Sequence, residues 1–102
     1  MLRLRFLLFF FCICLSVLST SAQRLKIFGS VRDSHGTPIE LASVRVAGTA
    51  ALTVTNLKGE YTLHTLSSDS VVVVCAMVGY ETRKRTLRSP KDSVRIDFVL
   101  PD

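Results

Sequence analysis

Beyond residue 24 the chain is a succession of short stretches in which apolar and polar side chains alternate, separated by turn-forming residues. In residues 25–32, Leu25, Ile27, Gly29 and Val31 share one face while Lys26, Ser30 and Arg32 take the other. A period of two predicts a half-buried strand. Phe28 interrupts the polar face and is expected to meet a neighbouring element. Residues 33–38 are turn chemistry: Asp33 can bond its own backbone two residues on, Gly36 allows positive φ, and Pro38 stops a strand. Residues 42–47 alternate again, with Ala42, Val44 and Val46 inward and Ser43 and Arg45 outward, until Gly48 and Thr49 end the strand. Thr53, Val54 and Thr55 suit a short β segment because β-branched side chains fit a pleated surface. A tight turn, Asn56-Leu57-Lys58-Gly59, leads into residues 60–66, where Tyr61 and Leu63 face one way and His64 the other.

The second half departs from strict alternation once. Residues 71–78 are wholly apolar, short and β-branched, bounded by Ser-Asp on one side and Gly79 on the other. That predicts a strand covered on both faces rather than a helix. A break at Gly79-Tyr80, a more polar strand over 81–87, a loop over 88–92 containing Pro90, and a last alternating strand over 94–100 complete the chain. Six or seven short strands with no helical periodicity predict an all-β fold: one small antiparallel sandwich over residues 25–100, with two sheets closed over one core.

Residues 1–22 read differently. Arg3 and Arg5 precede an apolar run over 6–18, and Ser19, Thr20, Ser21 and Ala22 follow. This is the pattern of a secretory signal peptide with cleavage expected after Ala22, and the run is shorter than the roughly 18–20 residues a membrane span needs. Neither Cys12 nor Cys14 follows the small-residue box that lipid attachment requires, and both would leave with the leader. Cys75 would then be alone, without an internal disulfide partner, and its apolar surroundings assign it to core packing. Loss of Arg3 and Arg5 takes the 13 basic residues to 11 against 8 acidic, a net charge of about +3 instead of +5. That balance is too mild to point to nucleic acid.

Candidate chemistry is sparse. His35 and His64 have no partners at metal-ligand spacing; Glu40, Glu60 and Glu81 are isolated; no serine stands in a nucleophile elbow. Catalysis is not expected, and neither is a metal or a cofactor. The densest charge is Arg83-Lys84-Arg85, with Arg88 nearby. On a strand Lys84 points opposite to Arg83 and Arg85, so the cluster reads first as an edge strand guarded by charge against aggregation. Its second reading is a contact for anionic headgroups or an acidic partner.

In order along the chain, Gly29-x-Val31-x-Asp33-x-x-Gly36-x-Pro38-Ile39, Ala42-x-Val44-x-Val46-x-Gly48-Thr49, Thr55-Asn56-x-x-Gly59-x-Tyr61-x-Leu63 and Val78-Gly79-Tyr80-Glu81 resemble the carboxypeptidase regulatory-like (carboxypeptidase D regulatory-like) domain. Asn56 stands where that family usually has Asp, a replacement compatible with the same turn. The resemblance implies a seven-stranded transthyretin-like (prealbumin-like) sandwich with no catalytic role. It also implies a periplasmic or outer-membrane-associated setting, as in the N-terminal extension of SusC-type TonB-dependent outer-membrane receptors. A stand-alone module and the truncated start of such a receptor are both compatible with a chain ending at Asp102. The expected partner is an envelope protein, either a receptor or a TonB-system component. Carbohydrate binding is the alternative, weakened by the lack of tryptophan.

Overall fold

The computed structural model describes residues 23–102, built from strands, turns and loops. The leader expected over residues 1–22 lies outside the described residues. The strands are β1 (Arg24–Asp33), β2 (Ser43–Val46), β3 (Leu52–Val54), β4 (Glu60–Leu66), β5 (Ser70–Ala76), β6 (Arg83–Arg88), β7 (Ser93–Arg95) and β8 (Phe98–Leu100). They form two four-stranded sheets, one with β1 between β4 and the β7/β8 pair, the other in the order β3-β2-β5-β6. The expected β-sandwich is the fold observed.

β7 and β8 are the two halves of the alternating stretch 94–100, interrupted at Ile96 and Asp97. Both lie parallel to β1, with Ile27 beside Val94 and Val31 beside Phe98. The remaining pairs are antiparallel. The chain reaches β7 from β6 in the other sheet, so it arrives by a crossover rather than a hairpin. Alternation dictates which side chains face inward, but not the direction of the neighbouring strand.

The inward rows meet in one core: Leu25, Ile27 and Val31 of β1 against Val44, Val73 and Cys75 of the facing sheet. Each such leucine, isoleucine or valine stabilises the fold by about 1.5–3 kcal/mol when fully buried. β5 departs from its expected cover on both faces. Val71, Val73, Val74 and Cys75 are buried, Val72 and Ala76 are only half-buried, and the strand ends before Val78, which is 92% exposed. The facing sheet covers one side of β5, and no third layer covers the other. On that outer side buried Val74 has Arg45 and Lys84 as its cross-strand neighbours, side chains long enough to lay their stems beside it.

β3 also follows its neighbour rather than hydropathy. Thr53 pairs with buried Val44 and therefore faces inward, while Leu52 and Val54 face out at 62% and 53% exposure. Thr55 is buried completely, its hydroxyl donating to the Ile39 carbonyl at 2.6 Å and accepting from the Ala42 N–H at 2.9 Å. A buried hydroxyl with both roles filled carries no desolvation penalty.

Candidate functional site

The residues singled out in the sequence fall into three places. At one end of β1 and β4 lie two turns with the same bonding. In the first, Asp33 Oδ1 accepts the N–H groups of His35 and Thr37, both at 2.9 Å. In the second, Asn56 Oδ1 accepts those of Lys58 at 3.0 Å and Glu60 at 2.9 Å. In each, the glycine three residues on donates to the carbonyl of the Asp or Asn. Asn56 thus fills the acceptor role that Asp33 fills, since only one side-chain oxygen is used. Pro38 and Gly59 bring the turns together, with Val31 donating its N–H to the Gly59 carbonyl at 2.7 Å. Gly48 and Thr49 are not part of this group. Thr49 caps the end of β2, its hydroxyl donating to the Val46 carbonyl at 2.9 Å, and sits near Arg24 and Leu66 at the opposite end of the sandwich.

The second place is the interruption between β7 and β8. Gly29 lies opposite Tyr61, and a Cβ on Gly29 would stand 1.9 Å from the Ile96 carbonyl oxygen. Only a bare α-carbon lets that carbonyl approach. The Tyr61 hydroxyl reaches across Gly29 and donates to the same oxygen at 2.5 Å. Burial, then the neighbouring Cys75 and Asp97, push the Tyr61 hydroxyl above its ordinary pKa despite Arg85, so it remains a donor. On the outer side of this break Asp97 accepts from the Ser30 N–H at 2.9 Å and from Arg95. Burial opposes its ionisation, but the bonds from Ser30 and Arg95 outweigh it and hold the carboxyl below its usual value. Burial raises the Cys75 thiol to about 11, which leaves it protonated and unreactive at neutral pH.

The third place is β6, an edge strand. Arg83 and Arg85 pair with the inward residues Cys75 and Val73, whereas Lys84 pairs with Val74 on the outer face, which Arg88 shares. The cluster is therefore divided between two pleats. Arg83 approaches Glu81 at 3.8 Å, an exposed pair that stabilises little. Just before β6, Tyr80 packs half-buried on the core after the turn at Gly79, and the Glu81 N–H donates to the Pro101 carbonyl. His35 and His64 are exposed.

Among the described residues, no three of His, Cys, Asp and Glu come together as metal ligands would. The surface carries shallow, open depressions. One of about 270 Å³ is lined by Phe28, Arg32, Glu60, Thr62 and Arg95 among others, and Lys26 Nζ stands 5.5 Å from the Phe28 ring centre. Another, of about 500 Å³, lies among Arg24, Thr49, His64 and Leu66. The sequence places Thr55 in the motif, but its two buried hydrogen bonds, to Ile39 and from Ala42, join residues more than ten positions away and show only in the fold.

The family description of the CarboxypepD_reg-like domain matches residues 27–102. The chain belongs to that family. No curated protein matches it. Among solved structures, the regulatory-like domain is similar to 3-chlorocatechol 1,2-dioxygenase from Rhodococcus opacus 1CP (14% identity, TM-score 0.64, 82% of this chain). It is similar also to chlorocatechol 1,2-dioxygenase from Pseudomonas putida (13%, 0.68, 82%). A third likeness is to a chain of a type II cohesin-X-dockerin complex from Acetivibrio cellulolyticus (17%, 0.62, 74%). The chain spans 61%, 63% and 56% of those chains respectively. At such identities the likeness is one of fold alone.

Proposed function

We propose that this regulatory-like domain is a non-catalytic interaction module of the cell envelope, exported and associated with an outer-membrane receptor. The observation that carries this reading is the family match over residues 27–102. The leader-like pattern of residues 1–22 supports export. The fold offers means of contact: β3 and β6 are sheet edges, and strand edges and pleated faces are common sites for partner recognition. The module acts by surface complementarity, as in the periplasmic N-terminal extension of SusC-type TonB-dependent receptors that the motifs resemble, and it turns over no substrate. Affinity capture with the tagged, exported chain from envelope extracts of its own host is expected to recover a receptor or TonB-system component. Failure to recover any such protein reproducibly would overturn the reading.

The depression around Phe28 favours one second reading, carbohydrate binding, because an aromatic ring among Thr62, Glu60, Arg32 and Arg95 is a setting for a sugar ring. Lys26 over the ring weighs against it. A glycan array probed with the exported chain separates the two readings, and a blank array removes the second.

A further inference from the structure

The sheet β3-β2-β5-β6 contains no Asp or Glu in any of its four strands, yet carries Arg45 on β2 and four cations on β6. Its outer face has no covering layer among the described residues. Register sorts what that face presents. Leu52, Arg45, Val74 and Lys84 form one row across the four strands, and Arg88 extends the face along β6. Strands lie about 4.8 Å apart, so the backbones bearing Arg45 and Lys84 are about 10 Å apart; Arg88 is four residues beyond Lys84, about 13 Å along the strand. Between and beside these cations lie exposed Leu52 and Val54 and half-buried Val72. The face is thus mainly apolar along β3 and β5 and cationic at three points on β2 and β6, where Ser43 and Thr86 lie between, and its strands carry no carboxylate.

We infer that this face docks an acidic amphipathic segment of a partner protein, its carboxylates meeting Arg45, Lys84 and Arg88 and its apolar side chains covering Leu52, Val54 and Val72. The inference rests on the interaction-module reading and names the partner's chemistry. Charge complementarity selects the acidic segment: unpaired cations on a desolvated face need carboxylates opposite them. An anionic membrane fits less well. Firm attachment to lipid requires apolar side chains that reach beyond the cations into the acyl boundary. Here the large exposed apolar side chains of the face are two, Leu52 and Val54, with Arg45 beside Leu52 on the same pleat. A headgroup layer would also draw on Arg83 and Arg85 as readily as on Lys84, whereas a docked segment distinguishes the two pleats.

The test measures fluorescence anisotropy of a labelled synthetic peptide, helical with one face of leucine and glutamate, against the full exported chain. A counterpart with every glutamate replaced by glutamine is measured beside it. The acidic peptide is expected to bind at least about tenfold more tightly than its counterpart, a difference of about 1.4 kcal/mol. The double substitution Arg45→Ala with Lys84→Ala should weaken it by at least about tenfold. Arg83→Ala with Arg85→Ala removes the same charge from the other pleat and should weaken it by less than about threefold. Equal losses in the two double variants, equal affinity for the two peptides, or preference for phosphatidylglycerol vesicles over the acidic peptide would each overturn the inference. The envelope capture keeps the two claims apart. Recovery of the same receptor component by wild type and by the Arg45→Ala, Lys84→Ala chain would remove this surface and leave the module reading intact.

Discussion

The two turns at the Asp33 end of the sandwich share every backbone bond and differ in what surrounds them. Around Gly36, at φ +84°, there is open space; beyond the bonds the two turns share, the exposed Arg32 guanidinium donates to the Gly36 carbonyl at 3.0 Å. Around Gly59, at φ +74°, a Cβ would come within 2.6 Å of the Val31 carbonyl oxygen and 3.1 Å of Pro38 Cβ. Just ahead of that turn, buried Thr55 ties Ile39 to Ala42. One motif therefore serves two purposes. The first turn only reverses the chain, while the second is packed into the seam where β1 leaves for the opposite sheet. The same residue pattern does not carry the same energy.

Substitutions should make that difference measurable by urea denaturation of the exported chain. Gly59→Ala is expected to cost the most, about 3 kcal/mol or more, because left-handed strain of about 1–2 kcal/mol adds to a collision with backbone that cannot yield. A loss under about 1 kcal/mol would mean that the seam relaxes and the turns are equivalent. Thr55→Val should follow at about 2–3 kcal/mol, since it leaves the Ala42 N–H and the Ile39 carbonyl unpaired in a dry setting. Gly36→Ala meets the same strain without the collision, and reduced freedom of the unfolded chain offsets part of it, so about 1 kcal/mol is expected. The smallest effect belongs to the exchange of side chains between the turns. Asp33→Asn and Asn56→Asp should each shift stability by less than about 0.5 kcal/mol, because each turn uses one acceptor oxygen that both residues possess. A larger shift for Asn56→Asp alone would show that the second turn senses charge as well as geometry.

Much of this is legible in the sequence alone. Alternation in residues 25–32 and 42–47 assigned the inward faces, and Asp33-Gly36 and Asn56-Gly59 announced turns, because backbone conformation at those points depends on local chemistry. The polar strand over 81–87, with the charges of Arg83, Lys84 and Arg85, points to an edge by the same local logic, and β6 is one. Other features could not be read that way. The expected cover over 71–78 exceeds the observed one because an apolar run says nothing about how many layers flank it; Val78 is solvent-facing and Val74 lies between Arg45 and Lys84 on a face with no second layer among the described residues. The division of the cations into two pleats follows from any strand, but the partnership of Lys84 with Arg45 requires knowing that β5 lies between them.

What the residues determined by themselves was a set of strands, their faces and their turns, since φ/ψ preference and period-two burial act over a few neighbours. Direction and adjacency were decided by the assembled sandwich: the parallel seating of β7 and β8 on β1, the inward threonine and outward leucine of β3, and the passage of Tyr61 over Gly29 to the Ile96 carbonyl. Apart from the β2–β3 pairing, those contacts join residues tens of positions apart, and their free energy exists only once both sheets have closed on the shared core.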